Sequence, residues 1–232
     1  VYKRQLLRYK YYEMKNNAQD FSSLAPEKFK GLKETVGWCA KAVDSLADRL
    51  QFDEFQNDEF NLSEIFLSNN QDILIDSAVL SALISACSFV YIREDNGYPR
   101  LQVIDGSNAT GIIDPVTNLL TEGYAVLERD SMGVVKTEAY FMAGMTEIYS
   151  HGVLVQRIPN AAPYALLVPI IYRPDAKRPF GHSRISRACI AYTQTALRTI
   201  KRSEVSAEFY SFPQKYVLGL SEDAEFNNRL AA

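Results

Sequence analysis

Neither glycine nor proline occurs between Gly181 and Pro213. A stretch this long without a helix breaker, carrying apolar residues every three or four positions, reads as one long helix. Ser183 is the expected N-cap, since its hydroxyl can accept a backbone N–H that the first turn leaves unpaired. At about 100° per residue, Ile185, Cys189, Tyr192, Ala196 and Ile200 share one face and form the expected core stripe. Arg184, Arg187, Arg198, Lys201 and Arg202 fall almost opposite. From Arg173 to Arg202 the chain holds eight lysines and arginines against one acid, Asp175, although its net charge is -3. The cationic block is therefore local, and local charge speaks to partners rather than to fold. Three readings fit the stripe: a solvated face, a track for nucleic-acid phosphates, or a contact for a neighbour's acids.

The rest of the chain places this helix in an α+β order: N-terminal helices, a mostly antiparallel sheet region, then the long helix. Residues 6–15 read as a short helix. From Pro26, the positions Phe29, Leu32, Val36, Ala40, Val43, Ala47 and Leu50 step at helical spacing, through Gly31 and Gly37. Residues 62–67 form a further helix, with Asn61 as cap and Glu64 completing an approximate capping box. Residues 72–87 form another. Strands are expected at 88–92, 100–104, 122–129, 134–142, 146–149, 153–158 and 166–172. Asn96-Gly97 gives a strong hairpin signal. Three regions follow: 1–92 helical, 93–172 β-rich, and 173–232 with the long helix and the segment after it.

The charge sign inverts between Gln51 and Ile92. Asp53, Glu54, Asp58, Glu59, Glu64, Asp72 and Asp76 occur there without a lysine or arginine among them. Acids in one part of the chain and cations in another suit head-to-tail contacts between copies, with plain solvation as the alternative.

Several chemistries lack their residues. There is no GxxxxGK[ST] phosphate loop, no GxGxxG and no GxSxG elbow, so neither ATP use nor a catalytic centre is expected. His182-Ser183 reads as a loop residue beside a helix cap. Asp105, Asp114 and Asp130 each sit in a turn, where aspartate serves local backbone hydrogen bonds. Cys39, Cys87 and Cys189 are widely spaced with no CxxC, and the two histidines are distant from each other. No metal and no cofactor is expected, and the thiols are read as buried and free. No apolar run of about 18 residues suggests a membrane span. The chain opens on Val1 and is expected to be a piece of a longer protein. Residues 1–5 (VYKRQ) resemble a translated adapter remnant and are set aside from functional reasoning.

Two segments, RPDAKRPFGHSRIS and ALRTIKRSEVSAEFYSFPQKYVLGLS, resemble the portal (head–tail connector) proteins of tailed bacteriophages, in the siphovirus-type branch. GWCAKAVDSLADRLQF and VIDGSNATGIIDPVT are similar to the same family, so the resemblance runs from Leu6 to Ser221. It implies a wing-like region followed by a stem-like helix. It also implies a homo-oligomeric ring of about twelve subunits, closed by rotational symmetry. Such a ring sits at one capsid vertex of the virion and assembles in the bacterial host cytoplasm. Double-stranded DNA is packaged and ejected through its channel. The implied partners are other copies, DNA, terminase, capsid and head-completion proteins, with no membrane and no catalysis by the portal itself. Portals are about twice this length, so a C-terminal part is expected beyond Ala232. Arg184, Arg187, Arg198, Lys201 and Arg202 would then face either DNA or a neighbouring subunit. The alternative is a monomeric nucleic-acid-binding module that carries a basic helix.

Overall fold

The computed structural model describes residues 2–15 and 34–211. Its elements are α1 (Tyr2–Tyr12), α2 (Trp38–Ala47), α3 (Leu62–Ser68), α4 (Gln71–Ser85), β1 (Cys87–Asp95), β2 (Tyr98–Asp105), β3 (Ala109–Ile113), β4 (Leu120–Arg129), β5 (Val135–Met142), β6 (Met145–Ser150), β7 (Val153–Pro159), β8 (Leu167–Ile171) and α5 (Arg187–Ser211). The fold is α+β: helices first, then two antiparallel sheets, then one long helix.

The strand region divides into two sheets, ordered β2-β1-β8 and β3-β4-β5-β6-β7. Asn96 and Gly97 both take positive φ (53° and 81°), as the two-residue turn between β1 and β2 requires. β8 returns from far along the chain to pair with β1, from Cys87 opposite Ile171 to Tyr91 opposite Leu167. One apolar core joins both sheets, with Phe89, Tyr91, Leu120, Phe141 and Leu167 at its centre. Tyr91 and Phe141 meet edge to face at 4.9 Å. The sequence reading missed β3, whose flanks are the turns at Asp105 and Asp114. Those aspartates do what turn aspartates do. Asp105 accepts from Ser107 N (2.6 Å), Asp114 from Val116 N (2.9 Å) and Asp130 from Met132 N (2.9 Å).

A second core holds the helices together. It contains Tyr11, Cys39, Val43, Leu83, Ile84 and Ile185. α4 lies between this core and the first sheet, so its side chains are buried along most of its second half. Gln5, in the adapter-like stretch at 1–5 that the sequence sets apart, is 4% exposed and belongs to the packed body.

Three helix starts differ from the sequence reading. α2 begins at Trp38, after a non-helical stretch at 34–37, with Gly37 in the N-cap position. The part of that expected helix before Glu34 lies outside the described residues, as do Pro26 and everything after Ser211. Asn61 occupies the N-cap position of α3 but adopts left-handed φ and makes no side-chain cap. Asp58 caps instead, accepting from Leu62 N (2.6 Å) and Ser63 N (2.8 Å). These bonds hold its carboxyl below the usual range. The cap of α5 is Ser186, which accepts from Cys189 N at 3.1 Å, and not Ser183.

Candidate subunit and nucleic-acid interface

The loop that delivers α5 is built around the C-terminus of α4. A helix leaves its last carbonyls without intrahelical donors. Here remote segments supply them. Arg8 Nη1 on α1 donates to Ser85 O (2.8 Å), Ser183 Oγ to Ile84 O (2.6 Å) and Arg184 N to Leu83 O (2.8 Å). Tyr172 N closes on Ala86 O at 2.9 Å. A cation such as Arg8 also suits the negative end of the helix dipole.

Upstream, the loop folds on itself. Asp175 accepts from the backbone N–H of Lys177 (2.8 Å) and Arg178 (2.7 Å). His182 Nε2 reaches Asp175 Oδ2 at 2.5 Å, while Arg178 Nη1 donates to His182 Nδ1 at 3.2 Å. Those partners fix the imidazole with its proton on Nε2. The hydrogen bond from His182 holds the Asp175 carboxyl below its usual range, helped by the two backbone donors. Gly181 takes φ +74°, and a Cβ there would lie 2.2 Å from Tyr172 O, so only glycine fits this bend. His182 and Ser183 serve separate partners and form no nucleophile–base pair.

α5 does not bury the stripe read from the sequence. Its buried residues are Thr193, Leu197 and Lys201, in a row with the half-buried Cys189, following Ile185 in the preceding loop. Tyr192 is 67% exposed and Ile200 is 37% exposed. An i, i+4 row drifts about 40° around the helix with each step. Such a row is buried when a helix crosses its neighbours obliquely and packs along a ridge. The stripe expected from the sequence runs straight along the helix instead.

The same buried row divides the five cations. Arg187, Arg198 and Arg202 lie on the exposed side of α5. Arg184 precedes the helix and donates from Nε to Ala42 O at 3.0 Å, tying the loop to α2. Lys201 is withdrawn from the outer face. Its side chain is 6% exposed, and its Nζ stands 3.8 Å from Oε2 of Glu34, itself 8% exposed. Among the described residues, neither Glu34 oxygen has a partner of strict hydrogen-bond geometry. Glu204 joins this group: a hydrogen bond shared with Glu34 raises its carboxyl above the usual range, and Lys201 pulls the other way. The pairing of Lys201 and the raised Glu204 could not be read from sequence, because Glu34 is so distant along the chain.

Beside this group, Cys39 and Cys189 bring their Sγ atoms within 3.2 Å, and Cys39 also meets Thr193 Oγ1 at 3.5 Å. Burial pushes the Cys39 thiol up to about 11. The three thiols are free, though Cys189 is only partly buried.

Among the described residues, the outer side of α5 is exposed over most of its length. Tyr210 is 85% exposed, and large apolar side chains alternate there with arginines. Among the described residues no group of three or more His, Cys, Asp and Glu could hold a metal ion. Among them, too, no helix is long and apolar enough to cross a membrane. No protein-family model matches the chain, and no curated protein matches it at a significant level.

Proposed function

We propose that this chain is part of a phage portal subunit, a structural member of a ring at the capsid vertex through which double-stranded DNA passes. The observation that carries the reading is α5. It has 25 residues, about 37 Å of helix, and its buried side chains, Thr193, Leu197 and Lys201, follow one ridge. Its open side carries Tyr192, Ile200 and Tyr210 together with Arg187, Arg198 and Arg202. A surface with bulky apolar groups among cations suits an interface better than bulk water. In a ring, the tyrosines would meet a neighbouring helix and the arginines would meet phosphates or a neighbour's acids. The resemblance of the segments around this helix to portal proteins supports the same reading. The role is conduction, not chemistry. Arginines on such a helix attract the duplex backbone without reading bases, in a salt-sensitive way.

The test is native mass spectrometry and negative-stain imaging of the full-length protein. Rings of about a dozen subunits are expected. Stable monomers that bind short duplex in low salt would overturn the portal reading in favour of a nucleic-acid-binding module. Replacing Arg187 and Arg202 with alanine then separates the two roles of the cationic side. Less DNA packaged per ring, with assembly intact, marks a channel face. Loss of rings with packaging per ring unchanged marks a subunit contact.

A further inference from the structure

A cavity of about 590 Å³ opens where α1, the start of β1, β3 and the loop to α5 meet. Its charged lining side chains are Arg4, Arg8 and Arg178, and no carboxylate is among the lining residues, though Asp175 lies next to Arg178 outside the cavity. Its wall is apolar, including Phe89 and Phe180, whose ring centroids are 6.1 Å apart. Burial depresses the Arg8 guanidinium, and repulsion from Arg4 and Arg178 adds to that. Three converging cations over aromatic walls call for an occupant with an anionic group and an aromatic body.

The chain itself displays such a group. Segment 51–61 carries Asp53, Glu54 and Glu59 on its surface, and Phe60 at its end is 78% exposed. The segment is already shaped. Phe52, Phe55 and Phe66 cluster with centroids 4.9–6.0 Å apart, and Asp58 is fixed as the α3 cap. A preformed loop gives up little entropy on docking. It cannot fill the cavity of its own subunit. α3 packs at the N-terminal end of α4, where Asn69 Nδ2 donates to Pro99 O (3.0 Å), whereas the cavity adjoins Ser85 at the other end of α4. The 15 residues of α4 separate the two by about 22 Å.

We infer that the Arg4–Arg8–Arg178 cavity receives the Glu59–Phe60 loop of a second copy, Phe60 entering between the aromatic walls and Glu59 meeting the arginines. Donor and acceptor are different patches, so the contact is head-to-tail and closes into a ring where the rotation allows. The inference deepens the portal reading and rests on it for its physiological setting.

The test combines a synthetic peptide of residues 51–68, which keeps Phe66 of the aromatic cluster, with full-length protein. Fluorescence anisotropy should show the peptide binding, and Phe60→Ala in the peptide or Arg4→Glu in the protein should weaken it about tenfold or more. Glu59→Arg peptide should recover affinity for the Arg4→Glu protein. A peptide that binds a protein incapable of forming rings upholds the docking and overturns the portal reading. Rings that assemble undiminished in Phe60→Ala full-length protein, with no peptide binding, overturn the docking and leave the portal reading standing. Stoichiometric displacement of the peptide by inorganic phosphate or short duplex DNA also overturns it, because the cavity would then be a phosphate site.

Discussion

The two cores of this molecule are held by different means. The sheet core is nearly all hydrocarbon and is walled by ladders between strands mostly close in sequence. The helical core lies among thiols, hydroxyls and a buried lysine, and its elements come from opposite ends of the chain. Ser183 reaches back 99 residues to cap α4, and Cys39 meets Cys189 across 150. A sheet core fails through lost packing. A core of this second kind fails through stranded polar groups, which cost their full desolvation when a partner is removed. The helical half is therefore the part whose stability pH or oxidation can adjust.

The largest effect should come from the sheet core. Phe141 is fully buried and meets Tyr91, so Phe141→Ala is expected to lose about 3–5 kcal/mol in denaturant unfolding. A loss well under that would mean the sheets are loosely packed and would erase the contrast. Next comes Lys201→Ala, expected to cost about 3 kcal/mol by leaving Glu34 buried without its cation. Lys201→Met combined with Glu34→Gln should recover most of that loss. Glu204 gives this group its own pH response. Its carboxyl is raised in the folded state by its hydrogen bond with Glu34, so protonation of Glu204 stabilises the fold below the ordinary glutamate range. That contribution disappears as pH rises through the raised value. Lys201→Ala removes a lowering influence and should move the loss to higher pH, which carboxyl NMR titration would show.

The contrast also explains what the sequence made legible. Seven strands, the Asn96-Gly97 turn and the order of helices and sheets were readable because period-2 patterning and turn residues act locally. β3 was missed because its five residues sit between two aspartate turns and bury little. The split into two sheets depends on β8 returning to β1, a non-local pairing that no window contains. In α5 the helix was legible but its inward row was not, because the angle at which it crosses its neighbours decides which ridge is buried. The buried row takes Lys201 away from the outer cations and leaves Tyr192 exposed.

Smaller in magnitude is the expected response to oxidation. A small-molecule disulfide reagent should convert Cys39 and Cys189 into an intramolecular disulfide. The two thiols lose two protons and two electrons, and the reagent leaves as two thiols. Peptide mapping under non-reducing conditions would identify the link. We expect a gain of roughly 2 kcal/mol, at the low end for disulfides because α2 and α5 already pack together. Modification of Cys87 in place of this link would show that the pair does not hold its geometry in solution. Burial pushes Cys87 up to about 12, which makes it the less reactive thiol.

The smallest effects come from two serines three positions apart, and they sharpen the comparison most. Ser186→Ala removes the N-cap of α5 and should cost about 1 kcal/mol, confined to fraying of the first turn. Ser183→Ala strands Ile84 O, a carbonyl on a buried residue at the junction of α4, β1 and the loop. Its total cost should be similar, about 1–2 kcal/mol, but its location differs. Hydrogen exchange would separate them. Ser186→Ala should speed exchange at Cys189 N–H alone, whereas Ser183→Ala should loosen Arg184 N–H, which bonds Leu83 O, and with it the seat of the whole helix. If both variants loosened the first turn of α5 and nothing else, the loop would be a passive connection, and the end of α4 would not anchor the helix on which the proposed ring depends.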